Sequence, residues 1–121
     1  MLKFIAAIVL LTAGTAAAAD SNTFQLRDTE DLVRVCSVPQ DDAHHLNAMG
    51  FCHGLLVGAY RYYDSTVKPA NRFVCTPNPI PTRAKVMSDF VKWANANPRY
   101  MKDAAMDTLF RYLGETYPCR K

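Results

Sequence analysis

The run Met49-Gly-Phe-Cys-His-Gly-Leu-Leu-Val-Gly-Ala-Tyr-Arg-Tyr-Tyr63 decides the fold. Met49, Cys52, Leu56, Ala59, Tyr60 and Tyr63 recur at spacings of three and four, which puts sulfur, aliphatic and aromatic groups on one stripe of a helix. A second row, Gly50, Gly54 and Gly58, runs beside it. Glycine inside a helix costs roughly 1 kcal/mol relative to Ala, so a row of them implies that something comes close. Without a Cβ the row is a flat groove for another helix or a partner backbone. Packing within the fold is the first expectation for it. An exposed partner-binding face, including the contact of a homodimer, is the second. Cys52 lies between the two rows, so a disulfide there would lock this helix to a neighbour.

Upstream, Asp28 or Thr29 can cap a first helix, with Glu30 and Asp31 in its first turn and Leu32, Val33, Val35 and Cys36 on its apolar side. That helix must stop by Pro39. Asp41 or Asp42 then caps the glycine-bearing helix, which runs to about Tyr63 or Asp64. Downstream, Ser65 to Pro81 contains Pro69, Pro77, Pro79 and Pro81 with Cys75 among them, and reads as an ordered, extended loop. Thr82 caps a third helix with Val86, Phe90, Trp93 and Ala94 in phase. Asn97-Pro98 both stops that helix and starts a fourth, which carries Met101, Ala105, Leu109, Tyr112 and Leu113 and which Gly114 can terminate. No run of period two is convincing. The expected fold is all-α, a small four-helix domain stapled by two disulfides.

The first nineteen residues stand apart. Lys3 followed by the apolar Phe4 to Leu11, with Ala17-Ala18-Ala19 before Asp20, reads as a signal peptide. The apolar run is too short for a membrane span. Residues 20–121 then form one exported domain, expected in the periplasm. Losing Lys3 takes the net charge from +3 to +2. The charges are interspersed, which disfavours nucleic-acid and membrane-surface binding.

Cys36, Cys52, Cys75 and Cys119 give an even count in an exported small chain, which argues for two disulfides. No Cys-x-x-Cys pair is present, which disfavours a redox motif or zinc knuckle. Cys52–Cys75 with Cys36–Cys119 is the favoured pairing, worth roughly 3.5 and 4.5 kcal/mol in the chain-entropy model. The sequence alone permits all three connectivities.

Catalytic candidates are sparse. Asp41, Asp42, His44 and His45 form the one cluster that resembles a site, with Asp41 and His45 on one helix face. A zinc site needs three or four convergent ligands, and a solvated helix start is the plainer reading. His53 beside Cys52 suggests a Cys/His nucleophile, but adjacent helical residues diverge and an oxidised cysteine is inert. No serine has a Gly-x-Ser-x-Gly context. These features imply no enzyme and no cofactor or metal. Tyr60, Arg61, Tyr62 and Tyr63 are interface-type residues, although core and boundary packing also accounts for them.

The framework resembles the Rap/Tai family, periplasmic immunity proteins that neutralise peptidoglycan amidase effectors of type VI secretion. The resemblance rests on Leu32 to Cys36, on Cys52-His-Gly54-Leu-Leu56-Val-Gly58, on Phe73-Val-Cys75-Thr-Pro77 and on Pro81-Thr82. Asn97-Pro98, Ala104-Ala105 and Tyr117-Pro118-Cys119 complete it, and Leu55 stands where the family has an aromatic residue. It implies a helical, disulfide-bonded domain without catalysis that inserts a loop or helix end into a toxin's cleft. The partner would be a cognate effector amidase. Lys68, Asn71, Arg72 and Phe73 in the loop and Tyr62 at the helix end are the candidate contacts. The alternative is a small periplasmic acid-stress chaperone resembling the HdeA-like proteins, although those normally carry a single disulfide. Intact-mass analysis of the exported protein with thiol labelling should give an N-terminus near Asp20 and no alkylated cysteine. Two or more labelled thiols would overturn the two-disulfide framework.

Overall fold

The computed structural model describes residues 24–120; the signal peptide expected over 1–19 lies outside them. Four helices follow in order: α1 (Thr29–Cys36), α2 (His45–Thr66), α3 (Arg83–Ala96) and α4 (Ala105–Thr116), with 3-10 turns at Pro69–Asn71 and Pro98–Tyr100. No strand forms among the described residues, but Val74 and Pro118 meet in one antiparallel bridge. α1 is the shortest helix and touches all three others. It buries Leu32 and Val35 completely, together with Phe90 of α3, Leu109 of α4 and Cys52 of α2. Tyr112 closes this core against Phe90 and Trp93, at ring separations of 5.6 and 5.7 Å.

Asp28 caps α1 by accepting the Asp31 amide at 2.9 Å. Asp31 answers by accepting the Arg27 amide at 3.2 Å. Its side chain is only 2% exposed and also receives the guanidinium groups of Arg27 and Arg34. The remaining free amides of the first turn are met from across the fold. Thr29 donates to the Asp103 carbonyl at 2.9 Å and Glu30 to that of Met101 at 3.0 Å, as helix ends require.

That capping explains a correction. A fourth helix starting at Pro98 was expected, but Pro98–Tyr100 is a single 3-10 turn and α4 starts at Ala105. A helix through 101–103 would direct the Met101 and Asp103 carbonyls at its own amides; instead they serve α1. Gly114 does not end α4 either. The helix continues to Thr116, and a Cβ on Gly114 would lie 2.9 Å from the Phe73 ring. α2 also starts later than Asp41 or Asp42. The Asp42 carboxylate accepts the His44 amide at 2.7 Å in a turn that precedes the helix, and His45 Nδ1 bonds the Val38 carbonyl at 2.8 Å.

The disulfides are Cys36–Cys52 and Cys75–Cys119, which corrects the favoured pairing. The α1–α2 hairpin sets Cys36 beside Cys52 with Cα atoms 5.7 Å apart. The loop cannot carry Cys75 there. At Phe73 it has come back only to the Tyr63 hydroxyl, which accepts the Phe73 and Val74 amides at 2.7 and 3.0 Å. From Tyr63 to Cys52 is roughly 16 Å of helix, and the two residues from Phe73 to Cys75 span about 7 Å. Cys75 meets the chain end instead, its amide donating to the Tyr117 carbonyl at 2.9 Å. Closing loops of 16 and 44 residues stabilises by roughly 3 and 4 kcal/mol in the chain-entropy model.

Hydrogen bonds from Arg27 first, and then Arg34, hold the Asp31 carboxyl well below its ordinary value of 3.8. A depressed carboxylate contributes stability that is complete above the unfolded-state pKa of about 4 and is lost as pH falls toward the folded-state value. The melting temperature should therefore drop on acidification below about pH 4. In Asp31→Asn it should be lower at neutral pH and flatter along the acid limb. An acid limb identical to wild type would show that this clamp does not govern acid stability.

Candidate functional site

The side chains that hinted at catalysis do not converge. Among the described residues no group of three or more His, Cys, Asp or Glu could hold a metal ion. Asp42 and His45 are engaged in local bonds at the start of α2. All four cysteines are oxidised, so Cys52 offers no thiolate beside His53.

The loop after α2 is held at both ends. Arg72 grips the end of α2, with Nη1 3.0 Å from the Asp64 carboxylate, Nη2 donating to the Asp64 carbonyl at 2.7 Å and Nε to the Val67 carbonyl at 3.3 Å. Phe73 sets its ring edge-on to Tyr63 at 5.4 Å and against Phe110 at 6.4 Å, while remaining 51% exposed. Both residues thus have contacts within the fold. Lys68 and Asn71 are exposed at the tip, on either side of Pro69 and Ala70. At the other end the loop is anchored by Cys75–Cys119 and the Val74–Pro118 bridge.

Two surface grooves flank α2. One, of about 520 Å³, lies between α2, the proline-rich segment and the start of α3. Val57, Arg61, Ile80 and Arg83 line it, and Tyr60 and Thr76 close it with a 2.6 Å hydroxyl–hydroxyl bond. The other, of about 710 Å³, runs between α2 and α4 along Gly54, Gly58, Tyr62, Met106 and Phe110. The glycine row borders this second groove and is exposed. A Cβ at Gly50, Gly54 or Gly58 would meet nothing within 4 Å. Among the described residues the row therefore does not serve helix packing, contrary to the first expectation. Leu46 and Tyr62 extend the row at its two ends and are 83% and 73% exposed. Sequence reasoning passed over Ile80, which is 75% exposed, and Arg83. An isoleucine set among prolines, where no helix or strand could bury it, was the available signal.

A small all-α domain with both disulfides formed, a stiffened loop and open apolar grooves is a scaffold for binding another macromolecule. The chain belongs to the Rap1a immunity proteins, whose family model matches residues 28–119. That span takes in all four cysteines, the glycine row and the loop. No curated protein and no solved structure matches the chain.

Because the row is open, Gly54→Ala should raise the melting temperature, gaining up to about 1 kcal/mol of helix propensity. Gly114→Ala should give no such gain, because its methyl group displaces Phe73 from Tyr63. A lower melting temperature for Gly54→Ala, with a dimer seen in sedimentation, would show that a second copy covers the row.

Proposed function

We propose that the protein is a periplasmic immunity protein that binds a peptidoglycan amidase effector of type VI secretion and occludes its cleft. It acts by binding and performs no catalysis of its own. Membership of the Rap1a immunity proteins carries this reading. The signal peptide expected over residues 1–19 and the two disulfides support an oxidising, exported location.

The loop tip is the proposed inhibitory element. Pro69–Asn71 forms a 3-10 turn closed by the Asn71 amide donating to the Lys68 carbonyl at 2.8 Å and the Arg72 amide to that of Pro69 at 3.3 Å. Tied at Tyr63, Asp64 and Cys119, the tip has little freedom left to lose on binding, which favours affinity. Lys68 and Asn71 face solvent and are the proposed contacts. Arg72 and Phe73 support them from beneath. Tyr62 stands on the adjacent end of α2 as a further contact.

The test is protection of a cell that expresses the amidase in its periplasm. Lys68→Glu combined with Asn71→Glu should keep the wild-type melting temperature, weaken amidase binding and abolish protection. Arg72→Ala should instead lower the melting temperature. Full protection by the Lys68/Asn71 variant would remove the tip from the inhibitory surface. If no amidase binds, and the acidified protein instead protects unfolding clients, the acid-stress chaperone takes the place of this reading.

A further inference from the structure

We propose that the groove between α2, the proline-rich segment and α3 docks an extended acidic segment of the protein partner, one apolar side chain of which seats beside Ile80. The partner's identity rests on the immunity reading; the chemistry of the groove does not.

Charge is the first argument. Arg61 and Arg83 both line the groove, and its lining contains no Asp or Glu. Half of the lysines and arginines among the described residues already have a carboxylate partner, among them Arg72 with Asp64, Lys85 with Asp89 and Lys102 with Glu30. Arg61 and Arg83 are exposed, and neither forms a salt bridge among the described residues. Two unpaired guanidinium groups over one concavity form a complementary field for carboxylates, which each can grip with two parallel N–H donors.

Shape is the second. Ile80 and Val57 give the groove an apolar wall, and Ile80 is 75% exposed. Such a wall wants one aliphatic side chain, not a bare anion. Pro77, Pro79 and Pro81 have no amide hydrogen to offer along this edge. The edge thus offers few donors for strand addition, which favours reading a bound segment through its side chains. The wall is also stiff, held by the Tyr60–Thr76 bond and by Cys75–Cys119. It therefore orders little on binding.

The probe is an acetylated and amidated peptide, Gly-Asp-Glu-Leu-Asp-Glu-Gly, titrated into the labelled mature chain and followed by amide NMR shifts. Shifts should concentrate at Val57, Arg61, Ile80 and Arg83. The counterpart with lysine at each acidic position should give none, and replacing leucine by serine should weaken the effect. Arg61→Glu with Arg83→Glu should weaken peptide binding at least about tenfold, the effect of losing charge-assisted contacts. Its melting temperature should be unchanged, and Arg61→Gln with Arg83→Gln should give an intermediate loss. Shifts elsewhere, equal binding of the lysine peptide, or indifference to both double variants would overturn the proposal. So would a change in the oligomeric state of the Glu variant alone, which would assign the groove to a second copy. Because the peptide assay needs no effector, the groove can stand where the amidase reading fails. Conversely, an amidase that binds both double variants as tightly as wild type leaves immunity intact and removes the groove from it.

Discussion

The carboxylate of Asp31 is the point on which the first helix, and through it the domain, depends. It sits within the capped first turn of α1, nearly out of solvent, and receives two guanidinium groups and the Arg27 amide. An isolated eight-residue helix does not hold in water. α1 holds because its first turn is satisfied from both sides. Its own carboxylates serve part of the turn, and the Met101 and Asp103 carbonyls serve the rest. At the other end of α1 Cys36 is bonded to Cys52. A helix fixed at both ends can then present Leu32 and Val35 to α2, α3 and α4 together. The short element therefore organises the long ones.

The same dependence decides how much of the fold was legible in the sequence. Some local signals hold. Asp28 and Thr82 cap the helices they precede, and the stripe of Cys52, Leu56 and Tyr63 is buried. Long-range signals do not. The segment after Pro98 has helical composition, yet its carbonyls are taken by residues some seventy positions earlier, and no local pattern reveals that. The disulfide pairing failed for a similar reason. The reach of the loop was judged by its length, while its path is set by the Tyr63 hydroxyl, which accepts two of its amides.

Glycines illustrate the split within one residue type. Gly114 reads as a helix stop, yet it lies within α4 and yields space to Phe73. Gly50, Gly54 and Gly58 read as a packing seam, yet nothing among the described residues approaches a Cβ placed on them. Spacing along a helix shows which residues share a face; it does not show whether that face is covered. At the candidate site the loop was legible as a stiff, proline-rich element. The division of labour among Lys68, Asn71, Arg72 and Phe73 was not, because it depends on where Asp64 and Phe110 sit.

This division has a functional consequence. Under the proposed function, a loop that enters a cleft faces two conflicting demands: its tip must be free to touch the partner, and its conformation must not be free at all. Here the two demands fall on different residues. Arg72 and Phe73 use their side chains inward, on Asp64, Tyr63 and Phe110, and the second disulfide holds the far end. Lys68 and Asn71 are thereby left with exposed side chains on a backbone that is already ordered. Binding then need not supply the ordering entropy of the loop, which for an unrestrained segment is about 1–2 kcal/mol per residue. Removing the clamp beneath the tip should therefore weaken a partner's grip even where every contacting side chain is intact.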